Sequence, residues 1–152
     1  MNKKTCIITL LMLLLVIPSF SYAVPPQPAR IGGTITINGR KLTQSTGTRL
    51  TIKVTKLNGT PLAPAAEDTD GLSADGFYII DIPIYDAADQ PGGVTAGTTV
   101  VIHAYWGSEE LTILSPANGR ITVGAQASLT TINITGKGPI GSIAPILNLL
   151  LD

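Results

Sequence analysis

The side chains able to do chemistry here are a crowd of acids, one histidine and few else. Glu67, Asp68, Asp70, Asp75, Asp86 and Asp89 fall within one stretch of the chain. Carboxylate oxygens are what a hard cation takes, about six to eight at a time, and extracellular modules hold calcium this way. Asp68, Asp70 and Asp75 are therefore the candidate calcium ligands, with Asp86 and Asp89 behind them. The segment Asp68-Thr69-Asp70-Gly71-Leu72-Ser73-Ala74-Asp75-Gly76 lacks the bidentate glutamate that ends an EF-hand loop. The plainer reading is a turn-rich loop whose aspartates cap nearby backbone N–H groups. No other cofactor is expected.

His103 is the sole histidine and makes no metal cluster by itself. No serine or carboxylate stands identifiably beside it, so a nucleophilic triad is unsupported. The single cysteine, Cys6, lies near the start of the chain, and the rest has no thiol for catalysis, metal binding or disulfides. The reading is of a protein that is not an enzyme. His103 and Tyr105 share the outward face of a strand, where a ring surface and a hydrogen-bonding tip can meet a sugar or a partner protein. They are the candidate binding residues.

The compartment follows from the first residues. Met1-Asn2-Lys3-Lys4 is a short basic opening, residues 7–17 are apolar apart from Thr9, Pro18 breaks the run, and Ser21 and Ala23 are small. That is the pattern of a secretory signal peptide over residues 1–23. Its apolar core is shorter than the about 20 residues a bilayer crossing needs. The expectation is a secreted protein, periplasmic, extracellular or at the cell surface. Without Lys3 and Lys4 the chain carries 8 basic against 10 acidic side chains. So near-neutral a balance favours neither nucleic acid nor an anionic membrane surface as partner.

The elements that position these residues read as strands. Residues 24–30, with Pro25, Pro26 and Pro28, form an extended leader, and residues 31–135 form one domain. Thr34-Ile35-Thr36-Ile37 alternates before the turn pair Asn38-Gly39, and Leu50, Ile52 and Val54 alternate with Thr51, Lys53 and Thr55 before Asn58-Gly59. Residues 60–73, with Pro61 and Pro64, read as a loop. Residues 77–82 form a strand that Pro83 confines to an edge or an end, and residues 85–97 form a second long loop. Residues 98–106 and 109–115 flank Gly107-Ser108, a two-residue type II′ turn. Its register sets Tyr105 against Glu110, Ala104 against Leu111, His103 against Thr112 and Ile102 against Ile113. Residues 120–123 and 129–135 supply the last strands. The sum is an all-β sandwich of about seven strands.

Three stretches carry a resemblance: Ile31-Gly32-Gly33-Thr34-Ile35, then Asp75-Gly76-Phe77-Tyr78-Ile79-Ile80, then Ala96-Gly97-Thr98-Thr99-Val100-Val101-Ile102. Over residues 31–135 the chain resembles the carboxypeptidase regulatory-like and Cna-B-like modules of surface proteins. That resemblance implies a prealbumin-like or immunoglobulin-like sandwich serving as stalk, spacer or adhesive module, and it brings no catalytic residues. Some such modules carry an isopeptide bond from lysine to asparagine or aspartate, supported by a buried acid. Lys53 and Asn133 are of suitable type, although Lys53 falls on a polar face and the flanking motifs are absent.

Residues 136–152 depart from the strand pattern. After Gly136-Lys137-Gly138-Pro139 the chain is apolar to residue 151 with no charge before Asp152, and from Pro145 it is helix-compatible. Ile140, Ile143, Ile146, Leu147 and Leu150 are candidate contact residues, docking on their own sandwich or inserting into a second subunit or protein partner. The run is too short to span a bilayer. Two function classes remain: a non-catalytic structural or adhesion-type interaction module, and a small carbohydrate-binding module, calcium-assisted or not.

Overall fold

Alternation sets the strands. In β1 (Ala29–Ile37), Ala29, Ile31, Ile35 and Ile37 are buried while Arg30, Gly32, Thr34 and Thr36 face outward, because successive side chains on a strand take opposite faces. The computed structural model of the chain describes residues 26–138. Residues 1–23, expected as a signal peptide, and the C-terminal candidates Ile140, Ile143, Ile146, Leu147 and Leu150 lie outside the described residues. After β1 come β2 (Arg40–Lys41), β3 (Leu50–Lys56), β4 (Pro61–Asp68), β5 (Phe77–Ile82), β6 (Thr99–Trp106), β7 (Glu109–Glu110) and β8 (Thr112–Ser115). A 3-10 turn (Ala117–Gly119) then leads to β9 (Arg120–Thr122), β10 (Leu129–Thr131) and β11 (Ile134–Lys137).

The strands form an all-β sandwich of two sheets. In the first, β1 is central, with β5 and β2 antiparallel to it on one side, β10 and β11 parallel to it on the other, and β8 beyond β11. The second runs β4, β3, β6, with β7 and β9 both on the far side of β6. Between them lies one core that includes Ile31, Ile35, Ile37, Ile52, Tyr78, Ile80, Ile102 and Ile134. Trp106 closes one end of it, with the Arg49 guanidinium 5.9 Å above the ring. Because β1 and β11 are parallel neighbours, the chain enters the sandwich at one end and leaves at the other.

Three local expectations give way. Residues 61–68, expected as loop, form β4, which buries Leu62 and Ala66 against the core. The prolines are tolerated because β4 is the edge of its sheet, where a missing N–H breaks no ladder. The hairpin at Gly107-Ser108 keeps its predicted register only near the turn, with Trp106 against Glu109, Tyr105 against Glu110, and the Leu111 N–H donating to Ala104. Beyond Leu111 the chain crosses to the first sheet, where β8 pairs with β11, so Ile113 and Thr112 face Gly136 and Lys137 rather than Ile102 and His103. The last strand is broken at Ile132-Asn133, where Gly33 passes so close that a Cβ there would meet the Ile132 carbonyl. Tyr78 Oη donates to that carbonyl at 2.7 Å, and Asn133 Oδ1 accepts from Thr34 N at 3.0 Å, which pins the break. Burial raises the Tyr78 pKa far above the ordinary tyrosine range.

Candidate functional site

The outer face of the second sheet gathers His103, Tyr105 and partners that the sequence did not place beside them. His103 Nδ1 lies 2.6 Å from Glu110 Oε1 and Nε2 lies 3.1 Å from Thr55 Oγ1. The Tyr105 ring is nearly parallel to the imidazole, 6.5 Å away. Lys53 lies opposite His103 on β3, its Nζ 3.2 Å from Glu67 Oε2. A shallow groove of about 360 Å³ lies alongside, lined by Thr51, Lys53, Tyr105 and Gly107.

A carboxylate therefore does stand beside His103, contrary to the sequence reading, because the hairpin register brings Glu110 next to Tyr105 and the β3–β6 pairing brings Thr55 within reach. Acid, imidazole and hydroxyl in a row match the connectivity of a general-base relay. Two features oppose that chemistry. Thr55 Oγ1 also lies 3.1 Å from Lys56 O, so its one proton has two claimants. Thr55 also sits inside the β3–β6 ladder, whose N–H groups are committed to interstrand bonds and cannot cradle a developing oxyanion. What the row does supply is a ring held on both sides, fixed in orientation before any ligand arrives.

Two of the acids, Asp68 and Asp86, are spent on the fold. Asp68 Oδ1 accepts from Asp70 N at 3.2 Å and Oδ2 from Ile79 N at 3.1 Å, a clasp from the end of β4 onto the open edge of β5. Asp86 Oδ1 accepts from the N–H groups of Ala88 and Asp89 at 2.8 and 3.0 Å. Those bonds, Asp89 first, hold its carboxyl below the usual carboxylate range. Asp75 stands in the turn before Gly76, where φ is +76°. Among the described residues no three His, Cys, Asp or Glu side chains come together in a way that could hold a metal ion, so Asp68, Asp70 and Asp75 are not gathered as a ligand set. Nor are Lys53 and Asn133 brought together: Lys53 is exposed on the second sheet and paired with Glu67, while Asn133 serves Thr34 in the first.

A wider opening than that beside Tyr105 lies at one end of the sandwich, and sequence reasoning missed it. Leu57, in the turn after β3, and Tyr85, at the start of the long loop, are 54% and 48% exposed. They flank a groove of about 660 Å³, lined also by Lys56, Asn58, Thr95, Thr98 and Thr99. The loop that displays Tyr85 is tied down by Asp86, by Gln90 Nε2 donating to Ile84 O at 2.6 Å, and by Val94 N donating to Pro83 O at 2.9 Å. The signal was an apolar leucine next to Asn58-Gly59, where a turn calls for polar residues. The groove lies where β3 ends and β6 begins, the end at which the chain enters β1, away from the end where it leaves β11.

No protein-family model, no curated protein and no solved structure matches the chain. Among the described residues no helix is long and apolar enough to cross a membrane.

Proposed function

We propose that the chain is a secreted or surface-associated, non-catalytic structural and interaction module. The observation that carries this reading is the end groove, an apolar and aromatic opening held by well-tied turns on a rigid sandwich, which is where binding residues concentrate. The strand order supports the prealbumin-like side of the resemblance to carboxypeptidase regulatory-like and Cna-B-like modules. Lettering β1, β3, β4, β5, β6, β9 and the broken β10–β11 as A to G, the sheets run D-A-G and C-B-E-F. A constant-type immunoglobulin sandwich divides them as ABED and CFG. A photo-crosslinker in place of Tyr85, used on the expressing cells, captures a partner that one in place of exposed Gln44 does not. Equal capture from both positions, or from neither, refutes the groove as the contact.

The His103–Tyr105 face favours a second reading, a carbohydrate-binding module. Oriented rings beside Thr51, Lys53 and Glu110 offer a flat surface with hydrogen-bonding groups around it, as a sugar ring requires. A glycan array probed with and without chelator tests it, and an array blank under both conditions removes it.

A further inference from the structure

The outer face of the first sheet carries exposed apolar side chains among its polar ones. Phe77 and Ile79 point outward from β5, and Leu129, 69% exposed, points outward from β10. Between these banks β1 presents Gly32 and Thr34: the register sets Phe77 beside Thr34, Ile79 beside Gly32, Gly32 beside Thr131 and Arg30 beside Leu129. With no side chain at Gly32 between Ile79 and Thr131, the face dips into a shallow trough along β1. The neighbouring edge is not what is on offer, since the N–H groups of Phe77 and Ile79 are already taken by Ser73 Oγ and Asp68 Oδ2, each at 3.1 Å.

We propose that this trough is covered by the chain's own C-terminal extension, residues 139–152, folding back onto the sandwich from which it leaves. Position favours it. β11 is a neighbour of β1 in the same sheet, and Asn38 holds Gly138 at the Phe77 end of the trough, its Oδ1 accepting from Gly138 N at 3.3 Å. Length favours it too. The outward positions of β1 from Thr36 to Arg30 span about 20 Å, whereas the extension reaches about 45 Å when fully drawn out. Charge agrees. The trough's charged groups lie at its two ends, Lys41 5.8 Å from the Phe77 ring at one and the Arg30–Asp81 pair at the other. The extension has no charged side chain before Asp152. Ile140, Ile143, Ile146, Leu147 and Leu150 meet the face that Phe77, Ile79 and Leu129 leave open. This covering stands independently of the interaction reading, which rests on the groove beside Leu57 and Tyr85 and not on this sheet face.

From Val24 onward the chain contains no cysteine, so one introduced thiol reports cleanly. The variants Ile79→Cys and, separately, Thr131→Cys are labelled with a maleimide in the chain running to Asp152, with Gln44→Cys as the exposed reference. With the trough covered in nine molecules of ten, labelling at either position is about tenfold slower than at the reference. Adding Leu147→Asp with Leu150→Asp restores the reference rate. Labelling that the aspartates leave unchanged overturns the proposal. Protection that grows with protein concentration assigns the cover to a second copy of the chain and overturns it as well. Thr131→Cys removes no apolar bank, so the result does not hang on Ile79.

Discussion

Gly33→Ala tests how the central strand is locked to the broken last strand. Gly33 has no left-handed φ, so alanine meets no backbone penalty and any cost is steric. A Cβ there would stand 2.7 Å from the Ile132 carbonyl carbon and closer still to its oxygen, where real Cβ atoms keep at least 3.0 Å. The strands must then part by about 1 Å, because a close-packed interior cannot absorb the overlap elsewhere. Three hydrogen bonds straddle the contact: Ile132 N to Gly32 O at 2.9 Å, Tyr78 Oη to Ile132 O at 2.7 Å, and Thr34 N to Asn133 Oδ1 at 3.0 Å. Stretched by about 1 Å they cease to be hydrogen bonds. At about 1 kcal/mol each, their loss comes to about 3 kcal/mol. The smaller entropy of the unfolded alanine chain offsets up to about 1 kcal/mol. A net loss of about 2 to 3 kcal/mol lowers the melting midpoint by about 10 °C for a domain of this size. Thermal and urea denaturation followed by circular dichroism measure it. Gly39→Ala is the control: its φ is +77° and nothing lies within 4 Å of the added carbon. It loses only the about 1 to 2 kcal/mol of a left-handed residue. If Gly33→Ala melts within about 2 °C of the parent, smaller than a 1 kcal/mol change would give, the steric argument is wrong.

Tyr78→Phe removes the donor to the Ile132 carbonyl and costs about 1 to 2 kcal/mol at neutral pH. Burial raises the tyrosine's pKa, so its stabilisation is complete below the unfolded value near pH 10 and is lost as pH climbs beyond it. Urea titrations from neutral to alkaline pH show the parent weakening above about pH 10 while the phenylalanine variant lacks that loss. Asp81 takes Arg30 Nε and Nη2 at 2.6 and 2.7 Å, and those bonds depress its carboxyl. Its contribution is present above the unfolded carboxylate pKa and disappears as pH falls through the depressed one. Asp81→Asn therefore lowers the midpoint slightly at pH 7, since the pair is exposed, and by less as pH falls through the depressed value. Asp68→Ala unclasps β5, costs about 1 kcal/mol, and makes light scattering rise with concentration as the freed edge pairs between molecules. Asp68→Asn keeps a carbonyl acceptor and restores most of the loss, and calcium or chelator leaves the parent's midpoint unchanged.

Local structure was legible in the residues alone. Leu50, Ile52 and Val54 face the core and Thr51, Lys53 and Thr55 do not, because a strand sends successive side chains to opposite sides whatever lies next to it. The Gly107-Ser108 turn was legible for the same reason: its two-residue geometry fixes Trp106 opposite Glu109 within a few bonds. Alternation names the wet face of a strand but not the strand beside it, and everything decided by neighbours came from the tertiary structure. Pro61 and Pro64 became part of a strand because β4 has one free side. β8 left its hairpin because β11 offered it a ladder in the other sheet. Glu110 and Thr55 closed on His103, Asp68 turned to Ile79, and Leu57 and Tyr85 came to flank one groove. Each of these contacts depends on sheet order, set by how two apolar faces bury each other, and no window of sequence contains it.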